Sequence, residues 1–346
     1  MRSVQLVKSL DGGRNHLGSL LPAKAEPNGL ADGCIIQASC AEDMTGFTTR
    51  TDERTLSTTS TVSGSEVDDA PLRSSSSNGI HHMQILTDID SLEPYYGWSC
   101  VPTMGALHDG HRSLIRQAVA TERPAVVTIF VNPKQFAPGE DYATYPRNLD
   151  RDLDIARDEG AAAVFTPAVD DIYPDNGDVW EPPLPAVANG PLLEDAYRPH
   201  FFAGVCTVVA RLFDLLQPGE CFFGEKDWQQ LQVIRALANS HAERWPHLSV
   251  TAGQTIREPD GLAMSSRNVY IADDQRDRAL AISQALSLAD QGEMAMRQLL
   301  LSANLDVDYA VVRDAETLLD AEEHRPQRAL IAATLDGTRL IDNAVV

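Results

Sequence analysis

Two histidines, His108 and His111, stand three residues apart at the end of the stretch PTMGALHDGH (102–111). The stretch leaves an apolar run ending at Val101 and leads into a helical pattern that opens at His111. Helix N-termini carry unpaired N–H groups and a partial positive charge, so such a junction is suited to phosphate. Gly105 and Gly110 would let the backbone approach a ligand closely, and the two imidazoles could donate to charge developing at phosphorus. Three further segments carry related chemistry. GEKD (224–227), directly after the apolar run Cys221–Phe223 and followed by Gln229 and Gln230, offers Lys226 as a point charge. MSSR (264–267) brings two hydroxyls, Ser265 and Ser266, and the Arg267 guanidinium in a loop able to close over a triphosphate. In FVNPKQF (130–136) Pro133 stops a strand, leaving Asn132 and Gln135 as neutral amides for the hydroxyl and carboxylate groups of a small substrate. Each segment alone reads as an ordinary polar loop. Their joint placement is what carries weight.

The elements that must position them alternate. Ala125–Val131, Ala161–Phe165 and Cys221–Phe223 are short apolar runs of the kind that form buried parallel strands. Between them lie helical patterns at His111–Glu122, Asn148–Glu159, Ala203–Leu216 and Trp228–Glu243, with Pro167 and the Pro218–Gly219 pair as breaks. This order predicts an α/β fold: a Rossmann-like, doubly wound parallel sheet whose ligands sit beyond the carboxyl ends of the strands. After Arg267 the texture changes to two helices, Asp273–Gln291 and Glu293–Ala303. Short strands at Val307–Val312, Ala329–Leu335 and Arg339–Ile341 follow, making a smaller α+β C-terminal domain. The expected division is an extension at 1–82, a nucleotide-binding domain at 83–271 and the small domain at 272–346.

The extension differs in kind. Between Thr45 and Ser77, 16 of 33 residues are Ser or Thr, too few apolar groups to offset ordering entropy, so residues 1–82 are expected to be disordered. No apolar stretch follows its basic start, which excludes a signal peptide, and its ten acidic residues disfavour a transit peptide; a misplaced start before Met83 is an alternative. With a formal net charge of −22 the chain repels nucleic acid, and no apolar run nears the roughly 20 residues of a membrane span. A soluble protein is therefore expected. Five cysteines without a CxxC pair point away from disulfides and zinc and toward a cytoplasmic location.

PTMGALHDGH, FVNPKQF, YPR (145–147), FFAGV (201–205), FFGEKDWQQL (222–231), DGLAMSSRN (260–268) and TRLIDN (338–343) closely resemble, in order, the signatures of the pantothenate synthetase family. HDGH and MSSR resemble the HIGH and KMSKS motifs of the wider nucleotidyltransferase superfamily. The resemblance, from about Met83 to the end, implies an ATP-dependent ligase that adenylates pantoate and passes the acyl group to β-alanine. Met104, Gly105, Ala106, Leu107, His108, Asp109, Gly110 and His111 would then line the ATP site, completed by Gly224, Glu225, Lys226, Asp227, Ile256, Met264, Ser265, Ser266 and Arg267. His111, His108, Lys226 and Arg267 would act on the phosphates as cationic donors, with Mg²⁺ bridging them near Asp227. Gln135 and Gln230 would hold pantoate, Gln135 also near β-alanine, with Asn132 and Tyr145 beside the substrate; a homodimer is expected. Two departures stand out. Lys134 occupies the place of a usual Met, its charge expected to face solvent, and FFAGV replaces HFxGV with His200 shifted ahead. A related nucleotidyltransferase with another small substrate would share the HxGH loop but not the paired amides. A non-catalytic nucleotide-binding protein would have no use for two histidines, Lys226 and Arg267 together.

Overall fold

The computed structural model describes residues 82–174 and 179–346. The expected extension lies outside them, except for His82.

Six strands form one parallel sheet: β1 (Gln84–Leu86), β2 (Ser99–Thr103), β3 (Ala125–Ile129), β4 (Ala163–Phe165), β5 (Glu220–Gly224) and β6 (Ser249–Gly253). Their order is β1-β4-β3-β2-β5-β6. The connecting helices are α1 (Asp109–Val119), α2 (Leu149–Asp158), α3 (Val169–Ile172), α4 (Glu194–Tyr197), α5 (Phe201–Leu216) and α6 (Trp228–Ser240). Alternation along the strands assigns the two faces. Cys100 and Val126 pack into a core with Phe213, Leu231 and Ile234 from α5 and α6. Their neighbours Val101 and Val127 pack on the other side with Leu114 and Ile115 of α1 and Leu153 and Ala156 of α2. Both faces are covered, as a doubly wound sheet requires. The chain winds from β2 outward to β4, then returns to β5 on the other side of β2. Strand order therefore reverses between β2 and β5, and a crevice opens beyond their carboxyl ends.

The C-terminal part holds α7 (Arg276–Ala279), α8 (Ala281–Leu286), α9 (Glu293–Ser302) and an antiparallel sheet of β7 (Asp306–Asp314), β8 (Gln327–Leu335) and β9 (Thr338–Val345). Ala329, Ile331 and Ala333 of β8 pack toward Ile282 and Met296, whereas Leu330 and Ala332 join the core of the large sheet. The helix expected at Asp273–Gln291 is segmented into α7, α8 and 3-10 turns at Asp273–Gln275 and Ala289–Gln291. Leu280 between α7 and α8 keeps helical dihedrals (φ −61, ψ −21), so the path is a helix with one tightened turn, ended by Gly292 at φ +96. Strands β1 and β6 were not foreseen. Among the described residues no helix is long and apolar enough to cross a membrane.

Candidate functional site

The HDGH loop leaves β2 and the GEKD turn leaves β5, so the two motifs flank the crevice at the point where the strand order reverses. Together with the segment carrying MSSR and with β9 they enclose a cleft of about 780 Å³. Met104, Gly110, Gly224, Ile256, Met264 and Ser265 line it. So do His108, His111, Lys226, Asp227, Ser266 and Arg267. Gly105, Ala106, Leu107, Asp109 and Glu225 do not.

The reason lies in the loop's hydrogen bonds. The N–H of Gly105 donates to Thr103 Oγ1 (3.1 Å), and those of Ala106 and Leu107 donate to the carboxylate of Asp152 (2.8 and 2.7 Å). The His108 N–H donates to His111 Nδ1 (3.3 Å) and the Gly110 N–H to His108 Nδ1 (3.1 Å). Backbone donors expected to cradle phosphate are thus consumed by the protein itself. Leu107 is fully buried in the core beside α1, and Asp109 faces solvent next to Arg112 (3.7 Å). At Gly105 (φ +77) an added Cβ would lie 2.9 Å from Asp152 Oδ2. The glycine makes room for that carboxylate, not for a ligand. Gly110 likewise makes room for the His108 ring.

This network also fixes the histidines. The rings lie 4.1 Å apart, centroid to centroid. Burial, and then the Lys226 charge, pushes His108 down to about 4. Burial, the neighbouring His108 and Lys226 push His111 well below the usual imidazole range. Both rings are neutral near pH 7, and with Nδ1 accepting a backbone N–H in each, the ring proton sits on Nε2. Each ring thus carries its N–H at Nε2 without a positive charge.

Of the true cations, Lys226 pairs, among the described residues, with Asp227 alone (3.4 Å). The backbone under it is clamped: Asn343 Nδ2 in β9 donates to the carbonyls of Glu225 (2.9 Å) and Lys226 (2.8 Å), while the Glu225 side chain turns toward Arg328 (3.7 Å). Arg267 is engaged in two hydrogen bonds to Asp141 (2.9 and 2.8 Å). Burial pushes the Asp141 carboxyl up, but the hydrogen bonds and charge of Arg267 hold it below its usual range. Ser266 Oγ meets the Tyr145 hydroxyl (3.0 Å), Met264 N–H donates to Ile256 O (2.9 Å), and Asp342 anchors Arg257 (2.6 Å). Tyr145 therefore stands over the MSSR loop.

The amides line the same cleft. Asn132 is buried, and its side chain is fully engaged: Nδ2 donates to Gln135 Oε1 (3.1 Å) and Gly204 O (3.1 Å), while Oδ1 accepts from Lys134 N–H and the Tyr173 hydroxyl. Asn132 orients Gln135, whose Nε2 donates to Met104 Sδ. Gln135 and Gln230 both line the cleft. The FFAGV segment opens α5 against the 133–135 turn so closely that a Cβ at Gly204 would fall 2.3 Å from Lys134 O. Lys134 itself faces outward, 3.1 Å from Glu181 and 4.7 Å from the Tyr173 ring centre, and does not line the cleft. Sequence reasoning missed Asp152, Asn343, and two acids of the cleft mouth: Glu140, paired with Arg198 (2.8 Å), and Asp141. It also missed buried Glu194, which takes Arg339 (2.7 Å) and the Tyr309 hydroxyl (2.7 Å).

A family model described as pantoate-beta-alanine ligase matches residues 81–345. Pantothenate synthetase of Nocardia farcinica is 45% identical over 258 residues, 71% of this chain and 78% of that protein. The enzyme of Bradyrhizobium sp. is also 45% identical, covering 71% of this chain and 89% of its own. Among solved structures, pantothenate synthetase from Thermus thermophilus superposes with a TM-score of 0.70 at 38% identity, over 76% of this chain and 99% of that one. Pantoate-beta-alanine ligase from Francisella tularensis, solved with beta-gamma ATP and beta-alanine, gives a TM-score of 0.63 at 31% identity, over 76% and 98%. Matched over most of its length by that model and by relatives well above 30% identity, the chain belongs to the pantoate–β-alanine ligase family of enzymes.

Proposed function

We propose that this chain condenses pantoate with β-alanine at the expense of ATP, through a pantoyl adenylate, with release of AMP and pyrophosphate. The observation that carries the reading is the pairing, at one strand-order reversal, of the HDGH loop after β2 with the GEKD turn after β5, facing MSSR and the two glutamines. Family membership and the Francisella ligase solved with beta-gamma ATP and beta-alanine support it. A carboxylate has no usable leaving group. Its oxygen attacks the α-phosphorus, the bond to the pyrophosphate oxygen breaks, and the acyl carbon then carries AMP as leaving group for the β-alanine amine.

Neutral His108 and His111 donate through Nε2 to the phosphate oxygens where negative charge gathers, and Lys226 adds a full charge. Arg267 exchanges Asp141 for the triphosphate as the MSSR loop closes. Gln135, held by Asn132, and Gln230 orient pantoate. Mg²⁺ would supply charge neutralisation on the phosphates. Among the described residues no trio of His, Cys, Asp or Glu is arranged as a metal cage. The half-buried Asp227 carboxylate at the cleft fits the usual pattern for Mg²⁺, one or two carboxylates plus substrate phosphates. The reading further takes residues 83–271 as the nucleotide-binding domain, residues 272–346 as the smaller one, a homodimer as the working unit and the cytoplasm as its location. Pantoate-dependent exchange of pyrophosphate into ATP, without β-alanine, tests the adenylate. Absence of exchange in an enzyme that still makes pantothenate would sink that step.

A further inference from the structure

We propose that Asp152 is a positioning residue for adenylation: its buried carboxylate is the built-in anion around which the histidine loop is shaped. The inference rests on the adenylation reading above. Gly105 at φ +77 and Ala106 at φ +50 form two consecutive left-handed residues. In this turn the N–H groups of Ala106 and Leu107 converge on a single carboxylate, so the backbone forms an anion-binding concavity. Here the anion is supplied by α2. Asp152 Oδ2 accepts from Ala106 and Oδ1 from Leu107, one donor per oxygen, and the residue is 1% exposed. Among the described residues no basic side chain pairs with this carboxylate, so the two N–H groups are its principal stabilisation, and burial pushes its carboxyl above the usual range. An ion buried without a cationic partner is costly, and a side chain that serves only packing has no need of it.

What the charge achieves is visible one residue further on. Leu107, anchored through its N–H and its buried side chain, leads directly into His108. The His108 N–H then meets His111 Nδ1, and the His108 ring takes the Gly110 N–H. Asp152 thus sets the start of a continuous chain of contacts that ends in two imidazoles whose Nε2 has no partner among the described residues. Its place in α2 agrees. It shares a stripe with Ile155 and Ala156, three and four residues on, where an apolar side chain would be expected.

The test is Asp152→Asn in the full chain. The amide keeps the shape but presents one accepting oxygen, and sets its own N–H₂ against the second backbone donor. Misplaced by a fraction of the loop's width, the donors should lose about a hundredfold in pantoate-dependent pyrophosphate exchange. The Michaelis constant for ATP should stay within threefold. Conversion of supplied pantoyl adenylate and β-alanine to pantothenate should also stay within threefold of the parent, because that half-reaction does not need the phosphate donors. In ¹⁵N spectra the imidazole signals of His108 and His111 should leave the uniform Nε2–H form. Gly105→Ala perturbs the same contact from the opposite side, and decides the matter if Asp152→Asn fails to fold. It should give the same half-reaction-selective loss. Exchange within threefold of the parent in the folded variant, or equal loss in both half-reactions, overturns the proposal. A parent enzyme with no exchange at all would instead refute the adenylation reading and leave the loop geometry aside.

Discussion

Neutral histidines in the cleft have a thermodynamic signature. His108 is held at about 4 by burial and by Lys226, against the ordinary 6.5. Because its folded pKa lies below its unfolded one, the unfolded chain takes up the proton first. The contribution to stability is therefore whole above about pH 6.5, declines as pH falls, and stops declining below about 4. At about 1.4 kcal/mol for each pH unit, the gap amounts to roughly 3 kcal/mol lost across that window. The perturbation is His108→Gln, which removes the titration while leaving a polar side chain in place. Unfolding free energies of parent and variant, measured with urea from pH 7.5 to 4, isolate chiefly this group, the neighbouring His111 being the one other titration that the substitution touches directly. The parent should lose roughly 3 kcal/mol more than the variant over the range. Parallel pH curves would show that His108 ionises freely and that the neutral-donor account is wrong.

Other outcomes can be checked alongside. His111→Ala and Lys226→Ala should each lower the exchange rate by roughly two to three orders of magnitude, the scale for one charge-stabilising donor, and near-normal rates in both would remove these residues from the site. Lys134→Met should change the Michaelis constant for pantoate less than threefold and stability by less than about 1 kcal/mol, because its ion pair with Glu181 is on the surface. A tenfold rise that salt weakens in the parent alone would place the ammonium on the substrate. A chain beginning at Met83 should be as active as the full chain, since the family match starts at residue 81; a tenfold loss in turnover would give the preceding residues a role.

The sequence exposed what depends on apolar periodicity and hid what depends on who accepts whose N–H. Runs such as Ala125–Val131 and stripes such as Leu114, Ile115 and Ala118 made the sheet and helices readable, and the motifs fell where the strands end. β1 escaped because it is three residues long with two exposed side chains. β6, Ser-Val-Thr-Ala-Gly on the sheet edge, offers no apolar run. In the site, residue identities were legible and their duties were not. The glycines of the HDGH loop suggested an open phosphate cradle, yet the acceptor filling it lies 46 residues on from Ala106, in a helix rich in acids. Its only local mark is an Asp on the same stripe as Ile155 and Ala156. Asn132, expected among the substrate's neighbours, has its polar atoms committed to Gln135, Gly204, Lys134 and Tyr173. Lys226 was legible as a charge, but the Asn343 amide that fixes its turn comes 117 residues later.

That separation bears on how the protein is made. A growing chain that has reached β8 holds both histidines, Lys226 and Arg267, but has not added the strand carrying Asp342 and Asn343. During synthesis the cleft is an unfinished mould, its Lys226 turn still without the amide that fixes it. On the proposed reading, ATP would steady the completed fold, adding the mass-action stabilisation of any ligand bound to the native state alone. The early sheet must assemble on its own apolar core.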